Sequence, residues 1–255
     1  MIKLFVADID GCITFPFVSP NWEAITQIRT WNELSKTDPV YPAVTICTGR
    51  PFPYAEAVSQ WLGVRYPFIF ESGAGIYDMP TNNLSWSPEI TGEVMEIVSS
   101  VRHWMDNEVL PEYPNSILEF TKRADVGCVS NSEAEILEIF ARSQAYMKER
   151  GLDDRFEVHH TEISVNIIFR GSTKGTGLTE LCRRLGLSLD EVAYIGDGMN
   201  DVPALELAGM PFIPANGRDV AKAAGQVLPQ KATLAVHEAI SRVIAHNKAL
   251  LAQNG

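Results

Sequence analysis

Five short runs of the chain are apolar at nearly every position: Ile2–Ile9, Ala43–Cys47, Phe68–Phe70, Val192–Ile195 and Pro211–Pro214. A strand with one wet face alternates apolar and polar residues. Runs without alternation predict strands buried on both faces, as in a parallel sheet. Between them the spacing turns helical. Asn21–Ser35 follows the start signal Ser19-Pro20 and repeats Trp22, Ile25, Ile28 and Trp31 on one face. Pro53–Leu62 stops at Gly63 and Gly175–Leu185 at Gly186, each glycine placed to cap a helix C-terminus. Strand–helix alternation of this kind predicts a doubly wound α/β domain with a parallel, Rossmann-like sheet.

The middle of the chain has another rhythm. A helical stretch over Glu89–Glu108 precedes two strand-like runs, Ser116–Lys122 and Asp125–Val129. Ser132 with Glu135 forms a capping-box signal for a helix reaching Arg150, closed by Gly151. Phe156–His159 and Ile163–Phe169 are strand-like again. Helix-strand-strand, twice over, predicts an antiparallel α+β unit inserted into the main domain. The expected division is a core of residues 1–81 and 171–255 around an insert of residues 82–170.

Length and composition narrow the class. The chain has 255 residues, and its 45% hydrophobic content suits an ordinary soluble core. No apolar stretch approaches the roughly 18 residues of a membrane span. The first apolar run is short and stops at two aspartates, unlike a signal peptide, so a cytoplasmic protein is expected. A net charge of -11 argues against a nucleic-acid partner, though a local cation can still dominate a small pocket. Cys12, Cys47, Cys128 and Cys182 form no C-x-x-C pair and are read as reduced thiols packed in the interior.

Ligands of parallel α/β sheets lie beyond the carboxyl ends of the strands. Each notable polar cluster falls at such an end. Asp8 and Asp10 follow the first run, Thr48-Gly49-Arg50 the second and Glu71-Ser72-Gly73 the third, while Gly196-Asp197-Gly198-Met199-Asn200-Asp201 follows a later one. Asp8 and Asp10, at i and i+2, would share a strand face, and Gly11 would let the backbone turn away. Two such carboxylates repel, and a cation relieves the repulsion. An oxygen donor set without His or Cys points to Mg²⁺ rather than zinc. Lys174 opens a helix, where the partial positive charge disfavours it unless an anion sits nearby.

In order and spacing these clusters resemble the four motifs of the haloacid dehalogenase-like phosphatases, in the form of the Cof-type branch. Asp8-Ile9-Asp10-Gly11 resembles the first motif, Thr48-Gly49-Arg50 the second, Lys174-Gly175 the third and Gly196–Asp201 the fourth. The insert is similar to the type-2 cap of that branch. Pro214-Ala215-Asn216 is similar to a stretch of archaeal-type phosphoglycolate phosphatases. Two positions depart from the family pattern: Cys12 stands where threonine is usual, and Ser72 where asparagine is more frequent. The resemblance implies a nucleophile at Asp8, an acid/base at Asp10 and a charge-neutralising Lys174. It implies phosphoryl contacts from Thr48, Gly49, Lys174 and Asn200. It further implies a Mg²⁺ site from Asp8, the Asp10 carbonyl and Asp197, with Asp201 in or next to that shell.

The function expected is hydrolysis of a phosphomonoester of a small metabolite, of sugar-phosphate type, through an aspartyl-phosphate. Phosphoglycolate hydrolysis and a phosphomutase or phosphotransferase activity are the alternatives on the same scaffold. A binding-only protein would be expected to have lost at least one of Asp8, Asp10, Lys174, Asp197 and Asp201, all of which are present. Substrate choice is expected to lie in the insert, with Glu119, Lys122, Arg123, His159, His160, Glu162 and Asn166 as candidate contacts. Trp86 and Trp104 are expected in its core.

Overall fold

The computed structural model describes residues 1–254. The chain runs β1 (Leu4–Ala7), α1 (Trp22–Leu34), β2 (Ala43–Ile46), α2 (Phe52–Leu62), β3 (Phe68–Phe70), β4 (Gly75–Asp78) and β5 (Asn83–Trp86). It continues through α3 (Gly92–Trp104), β6 (Ser116–Leu118), β7 (Val126–Ser130), α4 (Glu133–Glu149), β8 (Phe156–His160) and β9 (Ser164–Phe169). It ends with α5 (Lys174–Leu185), β10 (Val192–Ile195), α6 (Val202–Leu205), β11 (Met210–Ile213), α7 (Asp219–Lys222), β12 (Gln226–Val227) and α8 (Ala232–Asn254). Two compact units form, Met1–Ser85 with Thr173–Gly255, and Trp86–Ser172.

The first unit is built on a parallel sheet in the order β12-β11-β10-β1-β2. Every residue of β1, β2 and β10 is buried, as continuous apolar runs require. A bridge from Cys47 to Ile69 carries the pairing on to β3, which turns back into an antiparallel partner, β4. The register decides where the polar ends fall. Ala7 pairs with Ile46 on one side and Ile195 on the other, so β1, β2 and β10 end level. The residues that follow them leave the sheet along one edge. Leu4, Val6, Leu178, Leu181, Tyr194 and Ile213 belong to the apolar cluster around the sheet.

Helix ends follow local chemistry. Asn21 caps α1 by accepting from the Ala24 N–H at 2.9 Å. Gly63 and Gly186 close α2 and α5 in the left-handed conformation expected of C-capping glycines. The long helix α8 and the β4–β5 hairpin have no counterpart in the sequence expectation. Asn247 of α8, fully buried, clasps the N-terminal strand: it accepts from the Ile2 N–H at 2.9 Å and donates to the Ile2 and Val40 carbonyls at 2.8 and 3.0 Å.

The second unit is an antiparallel sheet, β6-β7-β9-β8, with helices α3 and α4. Ser132 caps α4, but Glu135 does not complete the capping box. Its carboxylate instead accepts from Ser116 Oγ and Asn115 Nδ2, both at 2.6 Å. The strand expected over Ser116–Lys122 ends at Leu118, because the next residues turn to bring Lys122 inside. Helix α3 starts three residues later than expected, with Thr91 as its cap, and runs on through a π-helical turn, Met105–Val109. Trp104 is buried and stacks on Tyr146 at 3.8 Å, while Trp86 is half-buried. No described helix is long and apolar enough to cross a membrane.

Replacing Asn247 by Ala would leave the amide and carbonyl of Ile2 buried without partners. The expected loss of stability is about 2–3 kcal/mol, read as a lower thermal midpoint and a lower urea midpoint.

Candidate active site

Asp8 leaves β1 at the sheet edge, with its N–H still bonded to the Ile195 carbonyl at 3.0 Å. Its Oδ1 accepts from the Ile9 N–H at 2.7 Å. Lys174, the first residue of α5, reaches Asp8 Oδ1 at 2.8 Å and Asp201 Oδ1 at 2.7 Å with an ammonium wholly hidden from water. The surface position usual for lysine is thus not the one it takes. Asp8, Asp197 and Asp201 each place a carboxylate oxygen within 4.8 Å of the others.

The electrostatics of this group are lopsided. Three carboxylates face one ammonium, so with all three ionised two negative charges are left uncompensated in a largely buried space. Burial, then the neighbouring Asp201, push the Asp8 carboxyl well above the usual carboxylate range, against the pull of Lys174. The same two causes raise Asp197 to about 7. Burial opposes the charge on Lys174, but Asp201 and Asp8 outweigh it and hold its pKa well above the ordinary value. Hard oxygen donors with two charges uncompensated are the setting a divalent cation fits.

Asp201 differs from the other two in being saturated. Oδ1 accepts from Lys174 Nζ and from the Tyr194 hydroxyl at 2.8 Å, and Oδ2 accepts from the N–H groups of Asp197 and Gly198 at 3.1 and 2.9 Å. Its oxygens therefore hold the loop and the lysine in place. Burial first, then Asp201, drive the Tyr194 hydroxyl well above its usual value, so it stays a donor.

Asp10 is not one of these three, but its charge acts on both Asp8 and Asp197 and raises them. Strand β1 ends at Ala7, and both Asp8 and Asp10 lie just beyond it. The Asp10 carboxylate is gripped by the Arg50 guanidinium through two bonds, Nε to Oδ2 at 2.7 Å and Nη2 to Oδ1 at 2.8 Å. Arg50 also lies over the Tyr54 ring at 5.1 Å. This forked pairing fixes the carboxylate's orientation.

Close backbone approach assembles the rest. Gly11 has φ +77°, and a Cβ there would sit 2.0 Å from Asp197 Oδ2. Asn216 spans the first and fourth clusters: its Nδ2 donates to the Gly11 carbonyl at 2.9 Å and to Asp197 Oδ2 at 3.4 Å, and its Oδ1 accepts from the Ala232 N–H at 3.0 Å. Thr48 is buried and its Oγ1 accepts from the Arg50 N–H at 3.1 Å, leaving the hydroxyl proton to donate elsewhere. Gly49 faces Asn200, whose Nδ2 would lie 4.0 Å from a Cβ at Gly49. Sequence reasoning left Arg50, Tyr194 and Asn216 out of the site, although Arg50 and Asn216 stood in segments it singled out. Tyr194 looked like one more apolar strand residue.

The cysteines are all buried. Burial pushes the Cys47 thiol up to about 12 and the Cys12 thiol well above its ordinary value. In the second unit, three of the candidate contacts come together. Lys122 Nζ donates to Asn166 Oδ1 at 2.8 Å and pairs with Asp125 at 3.1 Å and Glu119 at 3.5 Å. Gly127 makes room for them, since a Cβ there would be 2.4 Å from Glu119 Oε2. His159 instead faces Glu157 at 3.3 Å, His160 packs on Phe140 at 4.5 Å, and Arg123 and Glu162 are exposed.

A sheet edge that gathers carboxylates around a buried lysine is the geometry against which the relatives are compared. A family model described as haloacid dehalogenase-like hydrolase matches residues 102–240. The chain belongs to the haloacid dehalogenase-like hydrolases, and it is a phosphatase. It is similar to a phosphoglycolate phosphatase of Methanopyrus kandleri, 30% identical over 229 residues, covering 89% of this chain and 90% of that one. A phosphoglycolate phosphatase of Methanothrix thermoacetophila is 34% identical over 249 residues, covering 98% of each. Among solved structures, Thermoplasma acidophilum 0175 matches with a TM-score of 0.69 at 21% identity, covering 95% of this chain and 98% of that one. A sucrose-phosphatase from Synechocystis, in complex with sucrose and phosphate, matches with a TM-score of 0.66 at 15% identity, covering 95% and 98%. At these identities the structural likeness establishes the shared fold.

Gly11→Ala should displace the Asp197 carboxylate and strain the backbone, and a shift of about 1 Å in such a group costs on the order of a hundredfold in turnover. Phosphate release measures it. Iodoacetamide should leave Cys12 unlabelled in the folded protein and label it once urea unfolds the chain, as mass spectrometry of the peptide would record.

Proposed function

We propose that this chain is a Mg²⁺-dependent phosphomonoesterase of small phosphorylated metabolites, with Asp8 as its nucleophile. The observation that carries this reading is the buried Lys174 ammonium between Asp8 and Asp201, beside Asp197, with two negative charges left over. Asp8, Asp197 and the Asp10 carbonyl would hold the cation. Asp201 would stand next to it, since its own oxygens already take four protein donors. When bound, Mg²⁺ supplies positive charge to the phosphoryl oxygens.

The chain's own groups account for the rest of the chemistry. The Asp8 carboxylate attacks phosphorus, and the bond to the leaving alkoxide breaks as an aspartyl-phosphate forms. Asp10, held by Arg50, delivers a proton to that alkoxide. It then takes a proton from the water that cleaves the aspartyl-phosphate. Lys174 offsets charge between Asp8 and the phosphoryl group. The Thr48 hydroxyl, the Gly49 N–H and the Asn200 amide donate to its oxygens. Phosphoryl transfer needs chiefly such positioning and charge stabilisation.

Residues 86–172 serve in this reading as the cap that chooses the substrate, with Lys122, Asn166 and Glu119 its best-organised polar group. The relatives' names favour phosphoglycolate as the first substrate to test, ahead of the sugar phosphates suggested by the sequence. The cytoplasm is the compartment that fits such metabolites.

The test is phosphate release across a panel of phosphorylated metabolites with Mg²⁺, including phosphoglycolate and sugar phosphates, with water as the only acceptor. Asp8→Asn should lower turnover at least about a thousandfold. Its thermal midpoint should not fall, because the change removes one of three mutually repelling carboxylates. EDTA should abolish activity and added Mg²⁺ restore it. Undiminished turnover in the variant would sink the mechanism, and transfer only to a sugar acceptor would favour the phosphomutase.

A further inference from the structure

The loop after β3 is strained at two consecutive residues. Glu71 (φ 46°) and Ser72 (φ 55°) both lie in the left-handed region that side chains other than glycine's avoid, and Gly73 follows at φ 102°. Strain of this kind persists only where the surroundings hold it, and here they do. The Glu71 N–H donates to the Arg50 carbonyl at 3.1 Å and the Ser72 N–H to the Thr48 carbonyl at 2.9 Å. On the other side Gly73 presses on the residue before Lys174, since a Cβ at Gly73 would be 2.0 Å from the Thr173 carbonyl oxygen. The loop is thus wedged between the Thr48–Arg50 segment and the start of α5.

Ser72 is the residue this wedge presents. It is 5% exposed, and its hydroxyl makes no hydrogen bond to another described residue. Its Oγ would lie 3.2 Å from a Cβ at Gly49, the same position that approaches Asn200 Nδ2 at 4.0 Å. The hydroxyl therefore borders the space that the glycine leaves open. The hydroxyl keeps a small opening to water, and a ligand in that space would take the water's place as its partner. It offers one donor and two acceptor positions, and the neighbouring donors all suit an anion.

We propose that Ser72 is a substrate-binding residue whose hydroxyl donates to a phosphoryl oxygen, beside the Gly49 N–H and the Asn200 amide. The strained turn is what brings it there: an extended residue at this position would carry its side chain away from Gly49. The proposal rests on the reading of Thr48, Gly49 and Asn200 as the phosphoryl cradle.

Strain and hydroxyl separate experimentally. Ser72→Gly removes the hydroxyl and relieves the backbone, so its thermal midpoint should equal or exceed that of the unaltered protein. Its kcat/KM for p-nitrophenyl phosphate should fall about tenfold, and the inhibition constant of inorganic phosphate should rise by a similar factor, the size expected for one hydrogen bond to a charged group. Ser72→Asn, which keeps an N–H donor and tolerates the left-handed backbone, should recover both quantities to within about threefold. The proposal is overturned if Ser72→Gly leaves kcat/KM and the phosphate inhibition constant within about twofold. It is equally overturned if the losses track a fallen thermal midpoint. Asp8→Asn separates the two levels: turnover that needs Asp8 but ignores Ser72→Gly refutes this proposal alone. Turnover that does not need Asp8 refutes the cradle, and the proposal with it.

Discussion

One buried ammonium sets the terms for the rest of the molecule. Lys174 lies within 2.8 Å of Asp8 and 2.7 Å of Asp201, with no access to water. Without it, three carboxylates would share a dry space with nothing to offset them, and removing one partner of a buried ion pair is strongly destabilising. The lysine still leaves the group short of positive charge. That shortfall is an obstacle to folding and, in the function proposed, the reason a cation and then an anionic substrate would be held there. The saturated Asp201 shows how the lysine is held: its other donors come from Tyr194 and the backbone of its own loop.

Close backbone approach is the second constraint. Gly11 meets the Asp197 carboxylate, Gly49 faces Ser72 and Asn200, and Gly73 packs on Thr173. In each case two clusters that are distant in sequence come nearer than a side chain would permit. Asn216 adds a polar tie between the first cluster and the fourth. The site is therefore a product of the sheet edge and of the missing Cβ atoms around it. Glu71 and Ser72 pay in backbone strain for the same closeness.

The two units differ in how they handle buried charge. In the first, the charge is concentrated and incomplete. In the second, Lys122 is enclosed by Asn166, Asp125 and Glu119, a group whose acceptors outnumber its ammonium. Burial raises the Asp125 carboxyl above its ordinary range even with Lys122 beside it. This enclosure also explains a departure from expectation, since the strand drawn through Lys122 stops at Leu118 so that the lysine can turn inward.

The sequence by itself determined the architecture wherever local rules dominate. Continuous apolar runs marked β1, β2, β3, β10 and β11, helical spacing marked α1, and capping residues marked ends of α2, α4 and α5. The order of Asp8, Thr48, Lys174 and Asp197 at strand ends and a helix start was legible, because a parallel sheet brings its carboxyl ends to one edge. Partnership came from the folded chain instead. A two-residue repeat grouped Asp8 with Asp10, and the fold adds their partners, Lys174 for Asp8 and Arg50 for Asp10. Tyr194 read as one apolar residue among four, and Asn247 as part of an unremarked helix. Their roles rest on neighbours 7 and 245 residues away. Hydrogen bonds across such distances leave no periodic trace in the chain, and they exist only once the sheet has set its register.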